Sequence, residues 1–163
     1  KSQTGCLKVA FQEFEISDVI TGVADIFSLI AETKKIKLTT EYHEEGMKVR
    51  ADKDMLNTVL RNFLSNAIKF SNEGSSIDIF VTVQDKFAKI NVRDHGVGIS
   101  EDRLHNLFRA GKTTYGTNNE EGSGLGLQLC QDFAEKNGGD VMVESVVGEG
   151  STFSVLVPLL QEN

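Results

Sequence analysis

Asn62, Asn66 and Lys69 lie four and three residues apart. On an α-helix that spacing gathers them into one narrow stripe. Leu56, Leu60, Phe63, Leu64 and Ala67 make a separate apolar face on the same stretch. A polar stripe of this kind is, in most helices, a solvated surface. Asparagine is a poor helix former, however, and two of them one turn apart in a helix interior call for a reason. An amide oxygen is a hard, neutral ligand suited to Mg²⁺, and an ammonium group one turn on suits a phosphate.

Three glycine-bearing segments add to this. Residues 94–99 read DHGVGI. Gly96 and Gly98 allow a sharp turn that can lie against a flat ligand. Asp94 can accept a hydrogen bond from an exocyclic amine, and an Asp-containing turn into a helix at Ser100 is the plainer alternative. Residues 122–127 read GSGLGL and open a helical pattern, where free N–H groups favour phosphate. Residues 148–153 read GEGSTF, which alone is a glycine hairpin. Two better-known phosphate motifs fail. A dinucleotide fingerprint needs Gly where Leu127 stands, and it needs a preceding strand. A Walker A loop ending at Gly111-Lys112-Thr113 needs its first glycine where Asn106 stands.

These groups need a scaffold. The 163 residues fit one domain large enough for a full core. A net charge of −7 argues against a nucleic-acid surface. Cys6 and Cys130 show neither CxxC nor metal spacing, and read as reduced, inert thiols. No apolar run approaches the ~20 residues of a membrane helix. The chain opens on Lys rather than Met, which reads as a segment cut from a longer protein.

Alternation near 11–16 predicts a strand. Ser17 is the expected cap of a helix carrying Val19, Ile20, Val23, Ile26, Phe27 and Ile30 at helical spacing. Strands are expected at 36–42 and 47–51, then a helix from an Asp52 cap to about 70. Two β-branched strands joined near Lys86 follow, then a short helix over 100–108. Residues 109–123 read as a polar mobile loop. A helix over 124–137 stops at Gly138-Gly139, and strands near 140–146 and 151–158 finish the chain. This order predicts an α+β two-layer α/β sandwich, with a mixed, mainly antiparallel sheet on three helices.

Taken together, NFLSNAIKF at 62–70, DHGVGI at 94–99, LFRAG at 107–111, GSGLGL at 122–127 and GEGSTF at 148–153 resemble the N, G1, F, G2 and G3 boxes of sensor histidine kinase catalytic domains. This is the Bergerat ATP-binding fold. The resemblance implies ATP and Mg²⁺ as cofactors. Asn66 becomes the metal ligand with Asn62 in support, Lys69 reaches phosphate, and Phe70 packs on adenine. Asp94 takes the adenine amino group, helped by a water on Thr152 or Ser151. Gly96, Gly98 and Ile99 complete that turn. Gly122, Ser123, Gly124, Leu125, Gly126 and Leu127 wrap the phosphates, and residues 109–122 form a lid from which Lys112 or Arg109 reaches the γ-phosphate. His95 stands where such G1 boxes commonly have Asn, with its side chain expected to point away from the base. The F box lacks its usual second aromatic.

In the hydrolytic and serine-kinase branches of the fold, a Glu stands where this chain has Asn62. An amide cannot act as a base, which favours the histidine-kinase branch. None of His43, His95 and His105 sits in an acceptor motif. The resemblance therefore implies that residues 1–10 end a dimerisation helix and linker, and that 11–163 are the catalytic domain. The implied partners are the parent's own dimerisation and phosphoacceptor domain and a response-regulator receiver domain, with no nucleic acid or membrane contact. The domain is expected to be monomeric when isolated and cytoplasmic, within a parent that can be anchored in the inner membrane.

Overall fold

The computed structural model describes residues 8–41, 47–102, 113–115 and 121–160. Among them run β1 (Gln12–Glu15), α1 (Ile16–Thr33), β2 (Lys37–Glu41), β3 (Lys48–Ala51), α2 (Lys53–Phe70), β4 (Ser76–Gln84), β5 (Phe87–Asp94), β6 (Thr113–Tyr115), β7 (Glu121–Ser123), α3 (Gly124–Lys136), β8 (Asp140–Val146) and β9 (Gly150–Pro158). The main sheet has the order β2-β4-β5-β9-β8. Its β2–β4 pair is parallel and the other neighbours are antiparallel. The parallel pair needs a crossover, which β3 and α2 supply. β1 and β3 form a separate ribbon. A bridge between Val49 and Leu159, and a bond from Leu160 N to the Lys48 carbonyl at 2.9 Å, join that ribbon to the end of β9.

Period-2 patterning puts Ile77, Ile79, Ile90, Val92, Phe153 and Val155 on one face of the sheet. The helices cover that face with residues such as Val19, Val23, Leu60, Phe63, Leu64 and Ala134. The Phe63 and Phe153 rings meet with centroids 5.6 Å apart, which fixes α2 over β9. This is the expected α+β two-layer sandwich.

Two local expectations are corrected. Ser17 is not the cap of α1: the helix starts at Ile16, and Glu15 in the cap position offers no side-chain bond. Burial of Ile16 and a bond from its N–H to the Met47 carbonyl at 3.0 Å set that start instead. The loop over 109–123 is not wholly irregular, because β6 and β7 pair antiparallel within it. Thr113–Tyr115 and Glu121–Ser123 can exchange ladder bonds that an isolated polar run would give to water. Of the short helix over 100–108, Glu101 and Asp102 are helical and residues 103–108 lie outside the described residues.

Asp52 does cap α2, accepting from Met55 N at 3.1 Å. α3 stops as expected: Gly138 takes a φ of 84°, and Gly139 N returns to the Ala134 carbonyl at 2.8 Å.

Candidate functional site

The C-terminal turns of α2 form one wall. Asn62, Asn66 and Lys69 are half-buried on the expected stripe. The Asn62 amide donates to the Thr58 carbonyl at 3.1 Å, which leaves its oxygen to act as an acceptor. Lys34, at the end of α1, donates Nζ to the Ile68 and Lys69 carbonyls at 2.9 and 3.2 Å. That cation satisfies carbonyls the helix end would otherwise orphan and complements its dipole. Sequence reasoning missed Lys34. Phe70 is buried at the last position of α2.

The turn after β5 is clamped onto this helix end. Val97 N donates to the Phe70 carbonyl at 3.3 Å. A Cβ on Gly96 would run into that same carbonyl. Gly98, at a φ of 77°, lies against the Val146 carbonyl, and Gly148 N donates to the Val97 carbonyl at 2.8 Å. These glycines therefore let three backbone segments meet, whatever else they admit.

Asp94 sits at the meeting point, only 2% exposed. Its Oδ1 accepts Gly96 N at 2.9 Å and Ser151 N at 3.2 Å. Its Oδ2 is buried and has no hydrogen-bond partner among the described residues. Burial raises the carboxyl pKa above the ordinary value, against the opposing pull of the Gly96 and Ser151 N–H groups. An orphaned buried acceptor is costly unless something donates to it. A ligand amine would.

Ser151 and Thr152 are separated by strand alternation. Ser151 shares the helix-facing side with Phe153 and is buried beside Asp94. Thr152 falls on the opposite face, in register between Arg93 and Glu144. Ser145 was not foreseen. Its Oγ accepts Ile99 N at 2.7 Å, donates to the Gly150 carbonyl at 3.0 Å and meets Ser151 Oγ at 2.7 Å. One hydroxyl has one proton, so Ser151 is the donor between the two serines. Its lone pairs remain to accept.

The remaining predicted positions divide. Ile99 and Leu127 are core side chains, so only their backbones could face a ligand. Gly124, Leu125 and Gly126 form the first turn of α3, and Gly122 and Ser123 lie on β7. Lys112, Arg109 and most of the 109–122 lid lie outside the described residues. The His95 ring turns to the face of the sheet away from the helices, its Nε2 lying 3.3 Å from Asp78 Oδ2. Thr39, His95 and Arg93 hold that Asp78 carboxyl below its usual range, although its partial burial acts the other way.

No cluster of His, Cys, Asp and Glu that could hold a metal occurs among the described residues. A cation here would depend on amide oxygens and on oxygens that its ligand brings. Mg²⁺ tolerates that arrangement, since it is commonly held by few protein groups together with substrate phosphates. Asn66 is a half-buried amide on the stripe, and its side chain makes no hydrogen bond among the described residues.

A sequence profile for the histidine kinase-, DNA gyrase B- and HSP90-like ATPases matches residues 51–161. The chain is 32% identical over 151 residues to the sensor histidine kinase ZraS of Escherichia coli, covering 93% of this chain and 32% of ZraS. It is 31% identical over 161 residues to a sensor-like histidine kinase of Rhizobium meliloti, covering 97% of this chain and 30% of that one. Thus the chain spans about a third of the length of these relatives. Among solved structures, the catalytic domain of histidine kinase ThkA superposes with a TM-score of 0.81 at 27% identity, over 91% of this chain and 95% of ThkA's. Full-length ShkA in complex with AMPPNP gives 0.82 at 25% identity, over 96% of this chain and 32% of ShkA's. With the buried acceptor of Asp94, the glycine-clamped turn and the Asn-bearing helix already in place, the chain belongs to the histidine kinase-, DNA gyrase B- and HSP90-like ATPases, as the ATP-binding catalytic domain of a sensor histidine kinase.

Proposed function

We propose that this domain binds ATP with Mg²⁺ between α2, the 94–99 turn and the start of α3, and passes the γ-phosphoryl group to a histidine on a separate phosphoacceptor domain. The single observation that carries the nucleotide pose is the buried Asp94 Oδ2, which has no hydrogen-bond partner among the described residues. It takes the adenine amino group, and Ser151 accepts from a water beside it. Phe70 supports the adenine ring. Asn66 gives Mg²⁺ its amide oxygen, with Asn62 behind it, and Lys69 attracts phosphate. Mg²⁺ supplies charge neutralisation on the phosphates. The first turn of α3 offers N–H groups to them. Asn62 lacks the basicity to activate water, so the arrangement favours an acceptor that is already nucleophilic, such as a neutral imidazole.

In this reading residues 1–10 link to a dimerisation and phosphoacceptor domain, residues 11–163 are the catalytic unit, and 109–122 are its lid. A response-regulator receiver domain takes the phosphoryl group onward. Calorimetry with ATP and Mg²⁺ tests the binding step. Binding should be lost in Asn66→Asp or Asp94→Ala, with circular dichroism unchanged. Parent-like affinity in both variants would reject the site.

A further inference from the structure

The outer face of α1 carries an apolar ridge that none of the described residues covers. Ile26, Leu29 and Ile30 are 49%, 70% and 46% exposed on it. Gly22, Ile26, Leu29 and Thr33 follow one another at spacings of four, three and four residues. That is the spacing of an a/d seam, whose apolar positions here are Ile26 and Leu29. A Cβ on Gly22 would meet nothing, so the first position is an open dimple. The inner face, through Val19, Ile20 and Val23, is already committed to the core. The ridge is thus a second apolar face on a helix that needs only one.

Beside the ridge runs a row of acids. Asp18, Asp25 and Glu32 are seven residues apart, at the flanking position next to the seam. All three are exposed, and none forms an ion pair among the described residues. The row decides what can cover the ridge. A second copy of α1 would bring acids against acids in an antiparallel pair, and acids against Val23 and Ile30 in a parallel one. An anionic membrane surface would be repelled in the same way. A helix with Leu or Ile on its own seam and Lys or Arg along the flank satisfies both features.

We infer that the outer face of α1 is a docking surface for an amphipathic, basic-flanked helix of another protein. Leu29 and Ile26 are its anchors and the acidic row sets its specificity. The residues assigned to the nucleotide site all lie outside Ile16–Thr33.

The test uses this chain and two synthetic helical peptides of about three heptads, with Leu at a and d and either Lys or Glu at the flanking positions. Isotope-labelled chain is titrated with each peptide and its amide shifts are followed. The Lys peptide should bind with shifts confined to Ile16–Thr33, and the Glu peptide should not. Leu29→Ser and Ile26→Ser should each weaken binding about tenfold, or ~1.4 kcal/mol, without loss of fold because both side chains are exposed. Combining Asp18→Lys, Asp25→Lys and Glu32→Lys should transfer the preference to the Glu peptide. Equal binding of both peptides, no shift with either, or shifts centred away from α1 would each overturn the inference. So would self-association of the chain abolished by Leu29→Ser, or binding to phosphatidylserine vesicles lost in the same variant.

Discussion

The main-chain N–H of Ser151 and the carboxylate of Asp94 lie 3.2 Å apart, binding the start of β9 to the end of β5 through a side chain whose other oxygen has no partner among the described residues. That oxygen makes Asp94 the most sensitive residue of the site. In Asp94→Asn, Oδ1 can still take both N–H groups, but a donor replaces Oδ2. The amide would then face the adenine amino group donor to donor. Losing a hydrogen bond to a charged group costs about 1.5–3 kcal/mol, so ATP affinity should fall about 10- to 100-fold in calorimetry. The pH dependence has a definite sign. Burial raises the Asp94 pKa, so between the ordinary carboxylate value and the raised one the folded state holds more protons than the unfolded. Its contribution to stability is therefore lost as pH rises through that window. Chemical denaturation across that range should show the slope in the parent and a reduced slope in Asp94→Asn.

Ser151 and Thr152 should part company on mutation. Ser151 Oγ is buried beside Asp94 and donates to Ser145, leaving its lone pairs to accept. Thr152 sits on the other face of the sheet. Ser151→Ala should weaken ATP by about 1 kcal/mol, or roughly fivefold, while Thr152→Val leaves affinity unchanged. The reverse ranking would place the base on the wrong side of β9.

The glycines predict a different phenotype. In Gly150→Ala the new methyl would meet the Asp94 carbonyl, at a φ of 124° that side chains rarely adopt. In Gly96→Ala it would meet the Phe70 carbonyl. Neither obstacle is a flexible side-chain end, so backbone must shift. Strained backbone alone costs on the order of 1–3 kcal/mol. Both variants should lower apo stability in denaturant melts before any nucleotide is added. Unchanged apo melts would mean the glycines serve the ligand alone.

This distinction shows how far the sequence could be read. The polar stripe of α2, the Asp52 cap and the strand pairs were legible because helix and strand periods mark their faces over many residues. Ser17 misled because cap residues are common in first turns, and burial of Ile16 outweighed it. Ser145 and Lys34 were invisible for another reason. Each acts across long sequence separations, Ser145 on Ile99 and Lys34 on the carbonyls of Ile68 and Lys69, and no local pattern records such a partner. The choice between Ser151 and Thr152 needed the β5–β9 register, since a one-residue step on a strand changes the face.

Cys130 is expected to be inert. It is fully buried, and desolvation pushes its thiol up to about 12. A thiol held that far from ionising is a poor nucleophile at neutral pH. Iodoacetamide should leave Cys130 unmodified in the folded chain and react once denaturant exposes it. Rapid labelling in native buffer would show that α3 separates readily from α2.

The last expectation concerns phosphate on the chain itself. His95 is the one histidine among the described residues, and it directly follows Asp94. Its ring nevertheless turns to the far face of the sheet, where Asp78 Oδ2 lies 3.3 Å from Nε2. An imidazole must approach the γ-phosphorus in line to take the group, and one held behind the sheet cannot. Asn62, in turn, supplies no base for water. The chain incubated with labelled ATP and Mg²⁺ should therefore carry no acid-labile phosphate and release little inorganic phosphate. Adding the phosphoacceptor domain of the same parent should produce acid-labile label on that domain alone. His95→Gln serves as the control and should leave this transfer unchanged. Acid-labile label on the isolated chain, lost in His95→Gln, would mean that the 94–99 turn can reverse its orientation and that the domain carries its own acceptor.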